Sequence, residues 1–185
     1  FNLLAPLYVR TIDKRTGQAQ PFAAFEWVKD DSLLEWSLRK NRLLEVLRNC
    51  GAQVICVQEL QLERSSRDEQ SLFQIPTWLD PIVEECGYEA ILPPSEQLEL
   101  IAQRNVRVLG TDAAVTCAVL VQSKHWDVVQ EGNSVGKNDD AIATDSSTWV
   151  SVCLEKKENP NVDPIVVTSV HLDATSEQKR IQQVA

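Results

Sequence analysis

Apolar positions along the chain recur at two spacings. In residues 31–47, Leu34, Leu38, Leu43, Leu44 and Leu47 repeat at roughly the interval of one helix face. Asp31 or Ser32 stands where an N-cap belongs, Glu35 follows Ser32 by three as in a capping box, and Gly51 provides the stop. Residues 78–86 predict a second amphipathic helix, ended by Gly87. Elsewhere the apolar residues come as short runs rich in β-branched side chains, at 53–58, 114–122, 149–155 and 165–170, and each predicts a buried strand. Glu158-Asn159-Pro160-Asn161 predicts a turn, and Thr175 or Ser176 caps a helix that has only begun when the chain ends. The stretches 63–70 and 131–147 are polar and predict surface loops. Strands and helices intermingle, some strands are joined by hairpin-like turns, and there is no internal repeat. The pattern predicts an α/β protein with a mixed sheet.

Composition narrows the function classes. The chain has 185 residues, 43% hydrophobic and 24% charged, which suits one domain with a real core and not a disordered tail. No run approaches the roughly 18 apolar residues of a membrane-spanning helix. Eighteen Lys and Arg face 27 Asp and Glu, a formal charge of −9. A protein that grips nucleic acid over a broad surface shows a basic excess. Any nucleic-acid contact here is therefore local, metal-bridged, or made outside this segment. Cys50, Cys56, Cys86, Cys117 and Cys153 are odd in number, widely spaced and without a Cys-x-x-Cys pair. They read as buried small hydrophobes and not as a disulfide framework or zinc site, which fits a reducing, intracellular compartment. The chain has no Met, opens inside an apolar run and closes inside a nascent helix. The expectation is a partial domain, residues 1–185, cut at both ends.

Chemistry is expected where buried strands end in polar groups, because α/β sheets place their sites at strand C-termini. The strand at 53–58 runs into Glu59, and the strand at 165–170 runs into His171 and Asp173. Asn2 follows an apolar residue at the start of the chain. Asn2, Glu59, His171 and Asp173 can thus converge at one sheet edge. A carboxylate with an amide and no thiolate suits a hard cation such as Mg²⁺ or Mn²⁺, and a histidine beside it suits a phosphate oxygen or acid–base work. Each residue also has a plainer reading: Glu59 as a solvated loop residue, His171 as a hydrogen-bonded structural one.

Four segments in order carry a resemblance. Phe1-Asn2-Leu3-Leu4-Ala5 resembles the opening strand motif of the endonuclease/exonuclease/phosphatase superfamily. Ala52-Gln53-Val54-Ile55-Cys56-Val57-Gln58-Glu59 resembles its apolar strand closing in Gln-Glu, and Thr116-Cys117-Ala118-Val119-Leu120 its Gly-Cys-Ala-Ile strand. Val167-Thr168-Ser169-Val170-His171-Leu172 resembles its Thr-His-Leu strand, with Arg180-Ile181-Gln182-Gln183 as the helical Arg-x-x-Gln beyond it. Trp36 and Arg39, in Leu34-Glu35-Trp36-Ser37-Leu38-Arg39-Lys40, resemble the Trp-x-x-Arg helix start of the deadenylase, nocturnin and Angel branch, as do Asn2, Leu4 and Tyr8 at the opening.

The resemblance implies the N-terminal portion of a DNase I-like, four-layer α/β sandwich built on two sheets. It implies a Mg²⁺-dependent phosphoester hydrolase, a nuclease such as a 3′-5′ exoribonuclease, acting on RNA or a nucleotide. Glu59 would ligate the metal, Asn2 would orient metal or phosphate, and His171 would hydrogen-bond the scissile phosphate. Asp173 would be a further catalytic carboxylate or a loop cap. A phosphatase of the same fold on a small nucleotide or phosphoinositide, or a catalytically incomplete binding module, are the other readings. The superfamily's later Asp-x-Asn and Asp-His motifs do not occur, and Asp112, Asp139 and Asp140 precede the His171 strand. Position 115 is Val where the branch commonly has Asp, and 116 is Thr where Gly is common. The isolated chain is therefore expected to be inactive, with an apolar inner sheet face left exposed.

Overall fold

Residues 115–121 are buried without a break, because the strand they form lies between two others and is covered on both faces. The structure, a computed structural model, describes residues 1–12, 15–16, 19–65, 73–132, 149–159, 161–172 and 177–178. A short hairpin, β1 (Arg10–Ile12) and β2 (Ala19–Pro21), precedes the helix α1 (Trp36–Asn49). Then come β3 (Val54–Gln61), the short pair β4 (Glu63–Arg64) and β5 (Phe73–Gln74), and β6 (Tyr88–Ile91). Helix α2 (Ser95–Leu109) leads into β7 (Val115–Gln122), β8 (Trp126–Gly132), β9 (Trp149–Lys156) and β10 (Ile165–Val170).

Two three-stranded sheets form, in the orders β3-β7-β6 and β10-β9-β8. The ladders are antiparallel, and an isolated bridge from Asn2 to Gln58 adds the parallel sense. Side chains alternate along β7, so its two faces build two cores. Ala118 and Leu120 face Leu79 and Ile82 of the 77–85 segment, Leu47 of α1 and Leu98 of α2. Cys117, Val119 and Val121 face Val150, Val152 and Leu154 of β9. The layers run helices, sheet, sheet, as in one side and the middle of the expected sandwich. The inner faces of the two sheets cover each other, contrary to the expectation of an exposed inner face. What remains open is the outer side of β10, where Val166 is 71% exposed. No helix among the described residues is long and apolar enough to cross a membrane.

The helix expected over 31–47 is two elements. Asp31–Leu34 is a 3-10 turn, capped by Asp30, whose carboxylate accepts from Ser32 N and Oγ at 3.0 and 2.6 Å. Glu35 is extended, and α1 starts after it. The capping box does not form because the Glu35 carboxylate goes to Arg10 Nη2 at 2.8 Å, which Asp31 shares. The helix expected over 78–86 is a 3-10 turn, Thr77–Leu79, followed by a π turn, Pro81–Glu85. Pro81 has no N–H to continue a regular ladder. The strands at 114–122, 149–155 and 165–170 are seen to within a residue, and β3 runs three residues beyond its expected end. Helix α2 and strands β1, β2, β6 and β8 are not in the sequence reading. Glu63–Arg64 is paired strand where a loop was expected, and Glu131 and Gly132 end β8; 66–72, 133–148 and the expected final helix lie outside the described residues, apart from 177–178.

Candidate functional site

The site starts from an irregularity in β3. Val57 pairs with Ala118 and Leu60 with Thr116, so Gln58 and Glu59 together stand opposite Cys117. An extra residue in one strand bends it and re-aims its side chains. Glu59 takes it up with φ +56°, a left-handed conformation that costs a non-glycine residue about 1–2 kcal/mol. Backbone strain of this kind collects at functional sites.

The N-terminal segment closes over that bulge. Leu3 N donates to Gln58 O at 2.9 Å and Gln58 N to Phe1 O at 3.1 Å. The chain then turns at Leu4, φ +53°, with Leu4 N donating to Asn2 Oδ1 at 2.7 Å. This turn brings two donors to Glu59: Asn2 Nδ2 reaches Oε1 at 2.7 Å and Ala5 N reaches Oε2 at 3.2 Å. Arg39, from the first turn of α1, fastens the turn from behind. Its Nη2 donates to Leu3 O at 2.9 Å and also to Leu4 O, while its guanidinium lies 5.5 Å from the Trp36 ring centre. Burial pushes the Arg39 pKa below its ordinary value, and the Glu59 charge opposes that shift. Burial, then the same charge, raises the Tyr8 phenol above its usual range.

The second sheet supplies the other half. Ser169 on β10 is 1% exposed; its Oγ donates to Val57 O at 2.8 Å and accepts from Gln58 Nε2 at 3.2 Å. Two residues on, His171 Nε2 lies 3.4 Å from Glu59 Oε1. The Glu59 side chain is 11% exposed and that of His171 36%. Asn2, Glu59 and His171 therefore meet, as their places at strand ends predicted. Asp173, the fourth candidate, lies outside the described residues, as do Arg180, Gln183, Asp139 and Asp140. Asp112 is described and lies elsewhere, in a two-oxygen pair with Arg64 at 2.8 and 2.9 Å.

No family model matches the chain. Among solved structures it is similar to the human Nocturnin catalytic domain with bound sulfate anion, at 16% identity and a TM-score of 0.51, over 98% of this chain and 51% of that one. It is also similar to ANGEL2, a 2′,3′-cyclic phosphatase, at 16% identity and a TM-score of 0.51, over 79% of this chain and 34% of that one. The chain has the DNase I-like fold of these two structures. At this identity the likeness is one of fold, and the chain spans about half of the Nocturnin domain and about a third of ANGEL2.

Within this fold, the donor set at Glu59 can be tested against a cation. A carboxylate offers roughly four acceptor directions; Asn2 Nδ2 takes one on Oε1 and Ala5 N one on Oε2, while His171 Nε2 stands 3.4 Å from Oε1. One direction on Oε2 stays open, which suits an ion bound through a single oxygen. Mg²⁺ is commonly held by one or two carboxylates, several waters and phosphate oxygens of a substrate. Among the described residues no group of three or more His, Cys, Asp or Glu could cage a metal. Glu59 alone is thus a fit for such an open Mg²⁺ site and no fit for a closed one.

Two groups position the site without having been candidates for it. Arg39 entered the sequence reading only as part of the Trp-x-x-Arg helix start, and Ser169 only as a residue of the strand before His171. The signal for Ser169 is its place two residues before His171, which puts both on one face of β10.

Proposed function

We propose that this chain carries the metal- and phosphate-binding part of a divalent-cation-dependent phosphoester hydrolase, a nuclease of the 3′-5′ exoribonuclease kind, and that residues 1–185 are part of a longer domain. The observation that supports this most is the Glu59 carboxylate, fixed by two hydrogen bonds, with an acceptor direction open on Oε2 and His171 beside Oε1. Glu59 would hold Mg²⁺ or Mn²⁺, which neutralises charge developing on a phosphate oxygen. The chain's own residues set the stage for that. Asn2 and Ala5 N hold the carboxylate in one orientation, so little reorganisation remains when a substrate arrives. His171 stands with Nε2 3.4 Å from Glu59 Oε1, where an N–H would donate to a phosphate oxygen held at the carboxylate. Asp173, which lies outside the described residues, would be a further catalytic carboxylate.

A small nucleotide substrate is the second reading, favoured by the −9 charge, which disfavours a long polyanion. ANGEL2, similar in fold, is a 2′,3′-cyclic phosphatase. The deciding assay follows Mg²⁺-dependent release of products by the natural protein that contains this chain. AMP from oligo(A) supports the nuclease, free phosphate from nucleotides or phosphoinositide headgroups supports the phosphatase, and neither product leaves a binding module. In either enzyme Glu59→Gln is expected to lower kcat/KM at least a hundredfold at moderate Mg²⁺; an unchanged rate at every Mg²⁺ concentration removes Glu59 from the site. The 185-residue chain alone is expected to be inactive.

A further inference from the structure

A small cleft, open to solvent, lies beside Glu59 on the helix side of β3. Its apolar walls include Trp36, from the start of α1, and Trp78 and Pro76, from the 77–79 turn. The two indoles meet edge to face, with ring centres 5.3 Å apart and planes at 82°, so they form a right-angled corner. Both rings are half-buried where a core pair would be covered. Among the described residues, the charged groups lining the cleft are the carboxylates of Glu59 and Glu63, with no Lys or Arg. Glu63 accepts from Thr77 N at 3.3 Å through Oε2 and is otherwise exposed, with acceptor directions to spare.

A flat aromatic corner takes a flat aromatic ligand, since base–indole stacking tolerates any π-face. Carboxylates at its rim favour a ligand that brings N–H donors, as an exocyclic amine does, and disfavour a free anion. Glu59 lines both this cleft and the phosphate site, so one ligand can span them. We propose that the Trp36–Trp78 cleft binds an amino-bearing nucleobase, that of the nucleotide whose phosphate lies at Glu59. The identity of the phosphate neighbour rests on the hydrolase reading above; the base site itself does not.

Calorimetry on the natural protein that contains this chain separates the two. The probes are adenosine, uridine, AMP and ribose 5-phosphate, each with and without Mg²⁺. Adenosine is expected to bind with or without the cation, and more tightly than uridine, which lacks the amine. AMP is expected to need Mg²⁺, because its phosphate faces two carboxylates. Trp78→Leu keeps apolar volume but removes the indole face. It is expected to weaken adenosine and AMP about tenfold while leaving ribose 5-phosphate unchanged. Adenosine that does not bind, or binds no better than uridine, or is unaffected by Trp78→Leu, overturns the base site. Should Trp78→Leu fail to fold, 8-azidoadenosine crosslinked to the unmodified protein decides: label on peptides holding Trp36 or Trp78 supports the site, and label elsewhere overturns it. Adenosine binding without any Glu59-dependent hydrolysis by the natural protein defeats the hydrolase reading and leaves the base site standing. Glu59-dependent hydrolysis with no base contribution does the reverse.

Discussion

The left-handed conformation of Glu59 permits a test in which side-chain chemistry cancels. Glu59→Ala and Glu59→Gly both delete the carboxylate that takes Asn2 Nδ2 at 2.7 Å and Ala5 N at 3.2 Å and that lies 3.4 Å from His171. Both variants are therefore less stable than the parent by a similar amount. They differ in backbone. At φ +56° a Cβ costs about 1–2 kcal/mol, which Ala incurs and Gly does not. Gly gives back about 0.4–1 kcal/mol through the larger entropy of its unfolded chain. The balance favours Gly by about 0.5–1 kcal/mol. That sign is the reverse of the usual strand, where Gly is the weaker residue. Urea unfolding of the two variants measures it directly, since a shared m-value turns the midpoint difference into free energy. Equal midpoints, or a more stable Ala variant, mean that position 59 does not hold a left-handed conformation. The bulge would then not present the carboxylate as described, and the site built on it would fall with it.

Ser169→Ala strips a buried hydroxyl from between Val57 O and Gln58 Nε2 and is expected to cost about 1–3 kcal/mol in urea unfolding; a loss under 0.5 kcal/mol means the clip between the sheets carries no strength. Arg64 donates to Glu99 at 2.8 and 3.1 Å, donates to Asp112, and lies 4.3 Å from the Phe73 ring centre. Its hydrogen bonds hold the Asp112 carboxyl below the usual 3.8, so their stabilisation is fully present above 3.8 and is lost as pH falls through the depressed value. These groups are partly exposed, so Arg64→Gln is expected to cost about 1 kcal/mol at neutral pH, with the gap to the parent narrowing below pH 3.8; a gap that widens in acid contradicts the pairing.

The fold was readable wherever one strand buries both faces or where a polar pair ends an apolar run. Strand β7 and the Gln58-Glu59 step have that character, and so Glu59 and His171 became candidates from their places at strand ends together with the family resemblance. Helix α2 was missed although it is amphipathic. Leu98, Ala102 and Asn105 are buried and Ile101 packs on the same core, but Leu100, Val106 and Val108 are exposed and blur the apolar spacing along the sequence. Asn105 is buried because its Nδ2 donates to Ala113 O at 2.7 Å, a tertiary contact that no periodicity announces. The broken helix at 31–47 failed similarly: Arg10, some twenty residues upstream, takes Glu35 away from its local cap. Strand β8 was missed where its alternation is weak, with Val129 exposed between Val128 and Gln130. The bulge itself has no sequence signal, because neither Gln58 nor Glu59 is a glycine or proline.

The candidate site is shared between two sheets, and this makes its geometry depend on one core more than the other. Glu59 rides on β3 and His171 follows β10, and the 3.4 Å between them is set by how the sheets stack. The stacking core is Cys117, Val119 and Val121 against Val150, Val152 and Leu154, whereas Leu79 and Ile82 belong to the helix-side core. Val152 and Leu79 are both fully buried, so Val152→Ala and Leu79→Ala each leave a cavity, costing about 1–3 and 2–5 kcal/mol. Their effects on the site should not follow those costs. Relaxation around Val152 lets the sheets shift and moves His171 relative to Glu59; relaxation around Leu79 lets the 77–85 segment settle on β3 without touching β10. The chain has only two histidines, His125 and His171, so the His171 imidazole signal is easily followed by NMR and assigned with His171→Gln. Val152→Ala is expected to shift it and Leu79→Ala to leave it in place, although Leu79→Ala is the more destabilised. If instead the shift tracks the loss of stability whichever core is cut, the site responds to global loosening, and the register of the two sheets is not what holds it.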